Sequence, residues 1–175
     1  MYSISLRTRR GWIFTIGFIA LYILLGNARS ARPNPFIPGE MIAVNVFIPV
    51  VAGLLGGWKM GILVGFFGTM LNTLTPVDSN LEFLLLLPNT VAGLLAGMLR
   101  KHFFAATAAI CFVVAHILRL GSYLIFDRIE LSLLSNPNLW KSIAFQIIFA
   151  VVNVMLIIFV FRIGFSTNGN KRTIH

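Results

Sequence analysis

Eight polar side chains interrupt apolar stretches of the sequence, and they are the residues best suited to chemistry. An amide, imidazole, guanidinium or phenol inside a bilayer is costly, and it usually faces a cavity or a partner. Such groups donate and accept hydrogen bonds, which favours recognition of a small polar molecule. We therefore predict that they bind substrate; they are Asn45, Asn72, Asn89, His116, Arg119, Tyr123, Gln146 and Asn153.

Arg119 is the most informative member of this set. Its guanidinium stays charged and needs an anion or several acceptors. His116, Arg119 and Tyr123 are three and four residues apart, so they share a helix face, while Gln146 and Asn153 share another. Two interpretations stay open: Arg119 binds an anionic group of the solute, or it pairs with an acid of an outer loop. The acids available for that pairing are Asp78, Glu82 and Asp127.

The composition indicates the kind of scaffold that carries these residues. The chain is 58% hydrophobic and 11% charged, with a mean hydropathy of +0.89, which is far more apolar than a soluble domain. A bilayer core of about 30 Å takes about 20 apolar helical residues. We predict one all-α transmembrane domain over residues 1–175, with six spans at 12–26, 41–57, 60–74, 81–99, 103–126 and 140–161.

Charge asymmetry predicts the orientation of the spans. With the amino terminus inside, most Lys and Arg lie on the cytoplasmic side, as the positive-inside rule requires. The acids Glu40, Asp78, Glu82, Asp127 and Glu130 then all lie outside, in loops or at helix ends. Both termini are predicted to be cytoplasmic, in a multi-pass protein of a bacterial inner or plasma membrane. A cleaved signal peptide over the first span is the alternative, and it leaves the remaining topology unchanged.

The first outer loop, residues 27–40, is long and contains Pro33, Pro35 and Pro38. Proline favours extended backbone. We predict that the eight polar side chains line a pocket that opens outward. The loop is then either a semi-rigid cover over this pocket, with Phe36 and Ile37 on its underside, or an ordinary connector.

Glycine recurs every fourth residue through the second and third spans, at Gly53, Gly57, Gly61 and Gly65. Small residues at this spacing let membrane helices approach closely. The pattern indicates packing within the bundle or docking of a partner's helices, and Gly17 and Ala20 in the first span are further docking candidates.

Several functions are disfavoured by missing motifs. Residues 56–59 lack the spacing and hydroxyl of a phosphate-binding loop, and the sequence has no His-Glu-x-x-His or cysteine cluster for a metal. The sequence indicates no patch of basic residues with interleaved aromatics outside the bilayer, which disfavours nucleic acid. We expect no enzyme activity, no cofactor and no metal, with the lipid bilayer and a small-molecule solute as partners.

The run from Ile48 to Phe66, with its proline-started helix, glycine-rich turn and Gly-x-x-x-Gly helix, resembles the substrate-binding S components of energy-coupling factor (ECF) transporters. Residues 88–101, the chain length and the long first outer loop fit the same resemblance. It implies capture of a vitamin or related micronutrient from outside. It also implies a transmembrane T component and two cytoplasmic ATPase subunits as partners. The family's Ala-x-x-x-Ala docking motif is represented in span one only by Gly17 and Ala20.

Two other classes share this general pattern. A membrane scaffold of the rod-shape morphogenesis type has a similar length and glycine-rich hairpin, and sensory transmembrane modules have a similar number of spans. A scaffold has no reason to bury His116, Arg119 and Gln146 together, so the polar positions favour solute binding over that alternative.

Overall fold

The described part of the chain is mainly helical and contains no strand. The computed structural model describes residues 4–27, 35–36, 45–75, 79–126, 128 and 131–169. The helices are α1 (Arg9–Asn27), α2 (Phe47–Gly56), α3 (Trp58–Asn72), α4 (Ser79–Leu84), α5 (Leu86–Leu99), α6 (Phe104–Ile125) and α7 (Pro137–Gly169), with a 3₁₀-helix at Leu131–Ser135 before α7.

Local sequence accounts for several helix ends. The hydroxyl of Thr8 accepts a hydrogen bond of 3.2 Å from the Gly11 N–H and so caps the start of α1. Asn136 caps α7 in the same way, with Oδ1 2.9 Å from the Asn138 nitrogen, and Pro137 occupies the first helical position, where its missing N–H costs nothing. Gly57, at φ +86°, ends α2 and starts α3 in a single residue. The glycine-rich turn between the second and third predicted spans therefore consists of Gly57 alone.

Proline divides the segment that was predicted as one span over 81–99. Pro88 lacks an N–H, and its ring cannot accommodate an α-helical carbonyl four residues earlier, at Leu84. The helix accordingly breaks at Leu85, with α4 on one side and α5 on the other. Glu82–Leu99 is still long and apolar enough to cross a membrane.

Four segments have the length and composition of membrane spans, namely Arg9–Asn27, Glu82–Leu99, Phe104–Ile125 and Pro137–Phe161. These four long apolar helices indicate a multi-pass membrane protein. Of the predicted second and third spans, α2 is shorter than expected, with 10 residues, whereas α3 has 15, the same number as the predicted span over 60–74. At 1.5 Å per residue, each is shorter than a bilayer core of about 30 Å.

The short helix α2 forms the centre of the core. Val50, Val51 and Leu54 are fully buried, and α1, α3, α5 and α7 all contact α2. The longer helices instead expose large apolar side chains, such as Ile16 on α1, Ile117 on α6 and Phe159 on α7. An apolar exterior around an apolar core suits a hydrocarbon solvent rather than water.

The repeated glycines bring α2, α3 and α5 into close contact. A Cβ atom on Gly53 or Gly61 would overlap the Gly93 carbonyl oxygen, and one on Gly65 would lie 2.6 Å from the Asn89 oxygen. The Arg100 guanidinium lies over Gly57. These glycines pack against α5 of the same chain, so their face is covered by the fold itself.

Candidate functional site

A buried hydrogen-bond network centred on Tyr22 joins four helices and the residues that precede α2. The Tyr22 hydroxyl donates to Glu82 Oε1 at 2.8 Å. It accepts from the Asn89 amide at 2.6 Å and from the Thr69 hydroxyl at 3.1 Å. Asn45 Nδ2 also donates to Glu82 Oε1, at 3.3 Å. We call these residues, Tyr22, Asn45, Thr69, Glu82 and Asn89, the Tyr22 network.

Glu82 lies at a helix end, as predicted, but its side chain is buried in the bundle. It is in the first turn of α4, yet its side chain is 0% exposed. Since a buried carboxylate requires donors to compensate for lost water, the bonds from Tyr22 and Asn45 account for its position. Glu82 is thus part of the polar interior, and Glu40, Asp78, Asp127 and Glu130 lie outside the described residues.

A second polar group, the Arg119 cluster, joins α6 to α7. Arg119 Nε donates to the Tyr123 hydroxyl at 3.1 Å, and its guanidinium carbon lies 5.2 Å from the centre of the Tyr123 ring. Arg119 Nη1 is 3.5 Å from Gln146 Oε1, and Gln146 Nε2 donates to the Ser142 hydroxyl at 3.1 Å. We include His116, one turn before Arg119, in this cluster.

The structure tests the predicted pairing of Arg119 with an acid for one of the three candidate acids. Glu82, the candidate acid within the described residues, accepts from Tyr22 and Asn45 in the other network. Asp78 and Asp127 lie outside the described residues. Arg119 has two described hydrogen-bond partners, Tyr123 and Gln146. Both are neutral, so they leave the positive charge of Arg119 uncompensated.

The remaining predicted residues are His116, which belongs to the Arg119 cluster, and Asn72 and Asn153, which occupy separate places. His116 Nδ1 donates to the Phe112 carbonyl at 2.8 Å, while its buried Nε2 has no partner among the described residues. Asn72 is buried beside Gly26, and neither of its amide atoms has a partner in the described part of the chain. Asn153 donates to the Phe149 carbonyl of its own helix, and no described contact brings it to the other candidates.

Both polar groups lie at the end of the bundle that is opposite the Gly57 turn. Tyr22 and Thr69 are in the last turns of α1 and α3, and Asn89 is in the first turn of α5. Arg119 lies in the later half of α6, whose start follows α5, and Gln146 lies in the early part of α7. Helix α4, which carries Glu82, contacts α6. Six helices therefore contribute polar side chains to one region.

Phe36, the described part of the predicted pocket cover, lies against this same region. Its ring centre is 5.6 Å from that of Phe145, which is adjacent in sequence to Gln146. Ile37 and most of the loop over 27–40 lie outside the described residues.

The residues that were missed are Tyr22, Thr69, Glu82 and Ser142. The sequence contained a signal for Thr69 and for Ser142, because Thr69 precedes Asn72 by three residues and Ser142 precedes Gln146 by four. The same face argument that grouped His116 with Arg119 would have included these two. It does not reach Glu82, because the break at Leu85 separates Glu82 from Asn89.

The predicted partner-docking residues separate into two groups. Gly53, Gly57, Gly61 and Gly65 are occupied by packing within the chain. Gly17 and Ala20 are exposed on α1, and an added Cβ on Gly17 would have no neighbour within 4 Å among the described atoms. Gly17 also lines an apolar groove of about 590 Å³ between α1 and α7.

Comparisons with family models, with curated proteins and with solved structures each find no match to this chain.

Proposed function

We propose that this chain is the membrane-embedded solute-binding subunit of an ECF-type uptake transporter. It captures a vitamin or related small micronutrient from outside, and partner subunits supply ATP hydrolysis. The proposal combines the sequence resemblance to S components with the polar interior at one end of an apolar bundle.

The single observation that carries the proposal is a set of buried polar atoms without hydrogen-bond partners. Among the described residues these atoms are Asn45 Oδ1, Asn72 Nδ2 and Oδ1, Asn89 Oδ1 and His116 Nε2. More than about 90% of buried polar groups in proteins are paired, because an unpaired group costs about 1–3 kcal/mol. A polar solute bound at this end of the bundle would provide the missing partners.

The chemistry of these atoms favours a particular type of solute. The three amide oxygens accept hydrogen bonds, and so does His116 Nε2 because Nδ1 carries the ring proton. Arg119 adds a positive charge whose described partners are neutral. We infer a solute with several N–H or O–H donors and an anionic group, such as a carboxylate or phosphate.

Two observations support the proposed partner subunits. The sequence lacks a phosphate-binding loop, so ATP hydrolysis would fall to other subunits. The exposed small residues Gly17 and Ala20 leave α1 open to close approach by another membrane helix. In this proposal, α1 contacts the T component, while both termini face the cytoplasm and six helical segments, including the α2–α3 hairpin, form the bundle.

The direct test is to identify small molecules that accompany the purified protein. The protein is extracted in mild detergent, denatured, and its released solutes are identified by mass spectrometry against an identically treated membrane protein. We expect one enriched micronutrient, which then binds the purified chain without ATP. Solute accumulation by vesicles that contain this chain but no ATPase partner would contradict the transporter proposal, as would saturable binding of none of the released molecules.

A further inference from the structure

A cleft with a strongly basic lining lies at the Gly57 end of the bundle, away from the two polar groups. Its volume is about 460 Å³, within the range of about 300–1,000 Å³ that is typical of small-ligand sites. Four cationic side chains line it, namely Arg7, Lys59, Arg100 and Lys101. We call this feature the basic cleft.

The cations come from three separate stretches of chain. Arg7 precedes α1, Lys59 lies in the first turn of α3, and Arg100 and Lys101 follow α5. The sequence segments 4–7, 56–59 and 97–101, which form the cleft, contain no Asp or Glu. Glu82, the acid whose side chain the structure describes, belongs to the network at the other end. The fold therefore gathers positive charge here without acids from these segments to balance it.

The cleft also presents apolar surface beside the cations. Trp58 is 47% exposed and Met98 is 62% exposed, and both line the cleft. The ammonium of Lys59 lies 5.4 Å from the centre of the Trp58 ring, so cationic and aromatic surfaces are adjacent. Tryptophan beside basic residues at the ends of membrane helices is typical of the level of the lipid headgroups.

The combination of cations and apolar surface favours a lipid over a soluble anion as the ligand of the cleft. A free phosphate would use only the cations, whereas an anionic lipid places its phosphate on the cations and its acyl chains along the neighbouring apolar side chains. A zwitterionic headgroup brings its own cation and gains less from four positive charges. We propose that the basic cleft binds the phosphate of an anionic membrane lipid. The proposal is independent of the solute-binding function.

The test measures lipid binding to the full chain in neutral detergent. The probes are phosphatidylglycerol, phosphatidylcholine with the same acyl chains, and glycerol 3-phosphate as the soluble phosphate. Native mass spectrometry gives the affinity, and the melting temperature reports the accompanying stabilisation. We expect saturable binding of phosphatidylglycerol at least tenfold tighter than that of phosphatidylcholine. An equal melting shift from glycerol 3-phosphate would overturn the assignment to a lipid.

Paired substitutions test whether lipid binding depends on the cations that line the cleft or on any positive charge nearby. Lys59→Gln with Lys101→Gln removes two exposed cations of the cleft, and Arg9→Gln with Arg10→Gln removes two exposed cations near it that do not line it. Since each interfacial cation contributes about a fivefold factor to binding of anionic lipid, we expect at least a tenfold loss for the first pair. The second pair should lose less than threefold. Equal losses in both pairs would overturn the proposal.

A pair of charge-preserving substitutions is the control for loss of folding. Lys59→Arg with Lys101→Arg retains both positive charges, so phosphatidylglycerol affinity should stay within about threefold of the parent. If this pair loses affinity as strongly as the glutamine pair, the charge is not the cause and the proposal fails.

Discussion

The hydroxyl of Tyr22 donates a 2.8 Å hydrogen bond to the carboxylate of Glu82, and both side chains are fully buried. The two residues are 60 positions apart in sequence, so this bond fastens α1 to α4 through the polar interior. Because Tyr22 also accepts from Thr69 and Asn89, its hydroxyl is the shared partner of three other side chains.

Removal of that hydroxyl should therefore destabilise the fold. Tyr22→Phe leaves the Glu82 carboxylate with one donor fewer and deprives Asn89 of an acceptor, at a cost of about 2–3 kcal/mol. The measurement is thermal or denaturant unfolding in detergent. Tyr123→Phe is the control, because Tyr123 is half-buried and its hydroxyl makes a single described hydrogen bond, which Arg119 donates. Similar losses for both variants would show that the Tyr22 network contributes no special stability.

Glycine at the contact between α3 and α5 should be irreplaceable, whereas glycine on the outer face of α1 should not. A Cβ on Gly61 overlaps the backbone of Gly93, which cannot move as a flexible side chain can. Gly61→Ala should therefore cost about 3 kcal/mol or more. Gly17→Ala has open space and should be neutral or stabilising by up to about 1 kcal/mol. Unfolding curves of the two variants test this, and a tolerated Gly61→Ala would contradict the observed packing.

Arg119 should matter for solute binding more than for stability. Arg119→Lys keeps the charge and loses the planar fork, so we expect at least a tenfold loss of solute affinity with a nearly unchanged melting temperature without solute. Arg128→Lys is the control, because Arg128 is exposed and outside the cluster. Unchanged affinity with a lowered melting temperature would instead indicate a structural ion pair. In that case, Arg119→Gln should also lower the melting temperature, and neutralising Asp78, Glu82 or Asp127 in the Gln variant should restore part of the loss.

Topology can be tested with single cysteines. In a Cys111→Ala background, Lys59→Cys should react with a membrane-impermeant thiol reagent only after cell lysis, and Arg128→Cys should react in intact cells. Both positions are exposed, whereas Cys111 is buried. The expectation follows from the positive-inside bias of the loops. Labelling of residue 59 in intact cells would place the amino terminus outside.

Composition and local pattern predicted the approximate positions of most helical segments, but not the break at Leu85. The apolar content requires membrane helices, and the helix ends follow from local chemistry at Thr8, Gly57 and Pro137. The glycine spacing also predicted close helix contact, since a missing side chain has the same consequence in any bundle. What it could not indicate was the partner, which is α5 of this chain.

Tertiary structure alone decided which polar residues meet. Asn45, Asn89 and Arg119 were selected for one pocket because each is polar within an apolar stretch, but Asn45 and Asn89 join the Tyr22 network while Arg119 joins Gln146. Glu82 was placed at a helix end on the outer side of the membrane because of the charge asymmetry. Its burial depends on donors from Tyr22 and Asn45, which are 60 and 37 residues away. Hydropathy is a property of each residue, whereas the desolvation cost of a carboxylate is offset by neighbours that only the folded chain brings together.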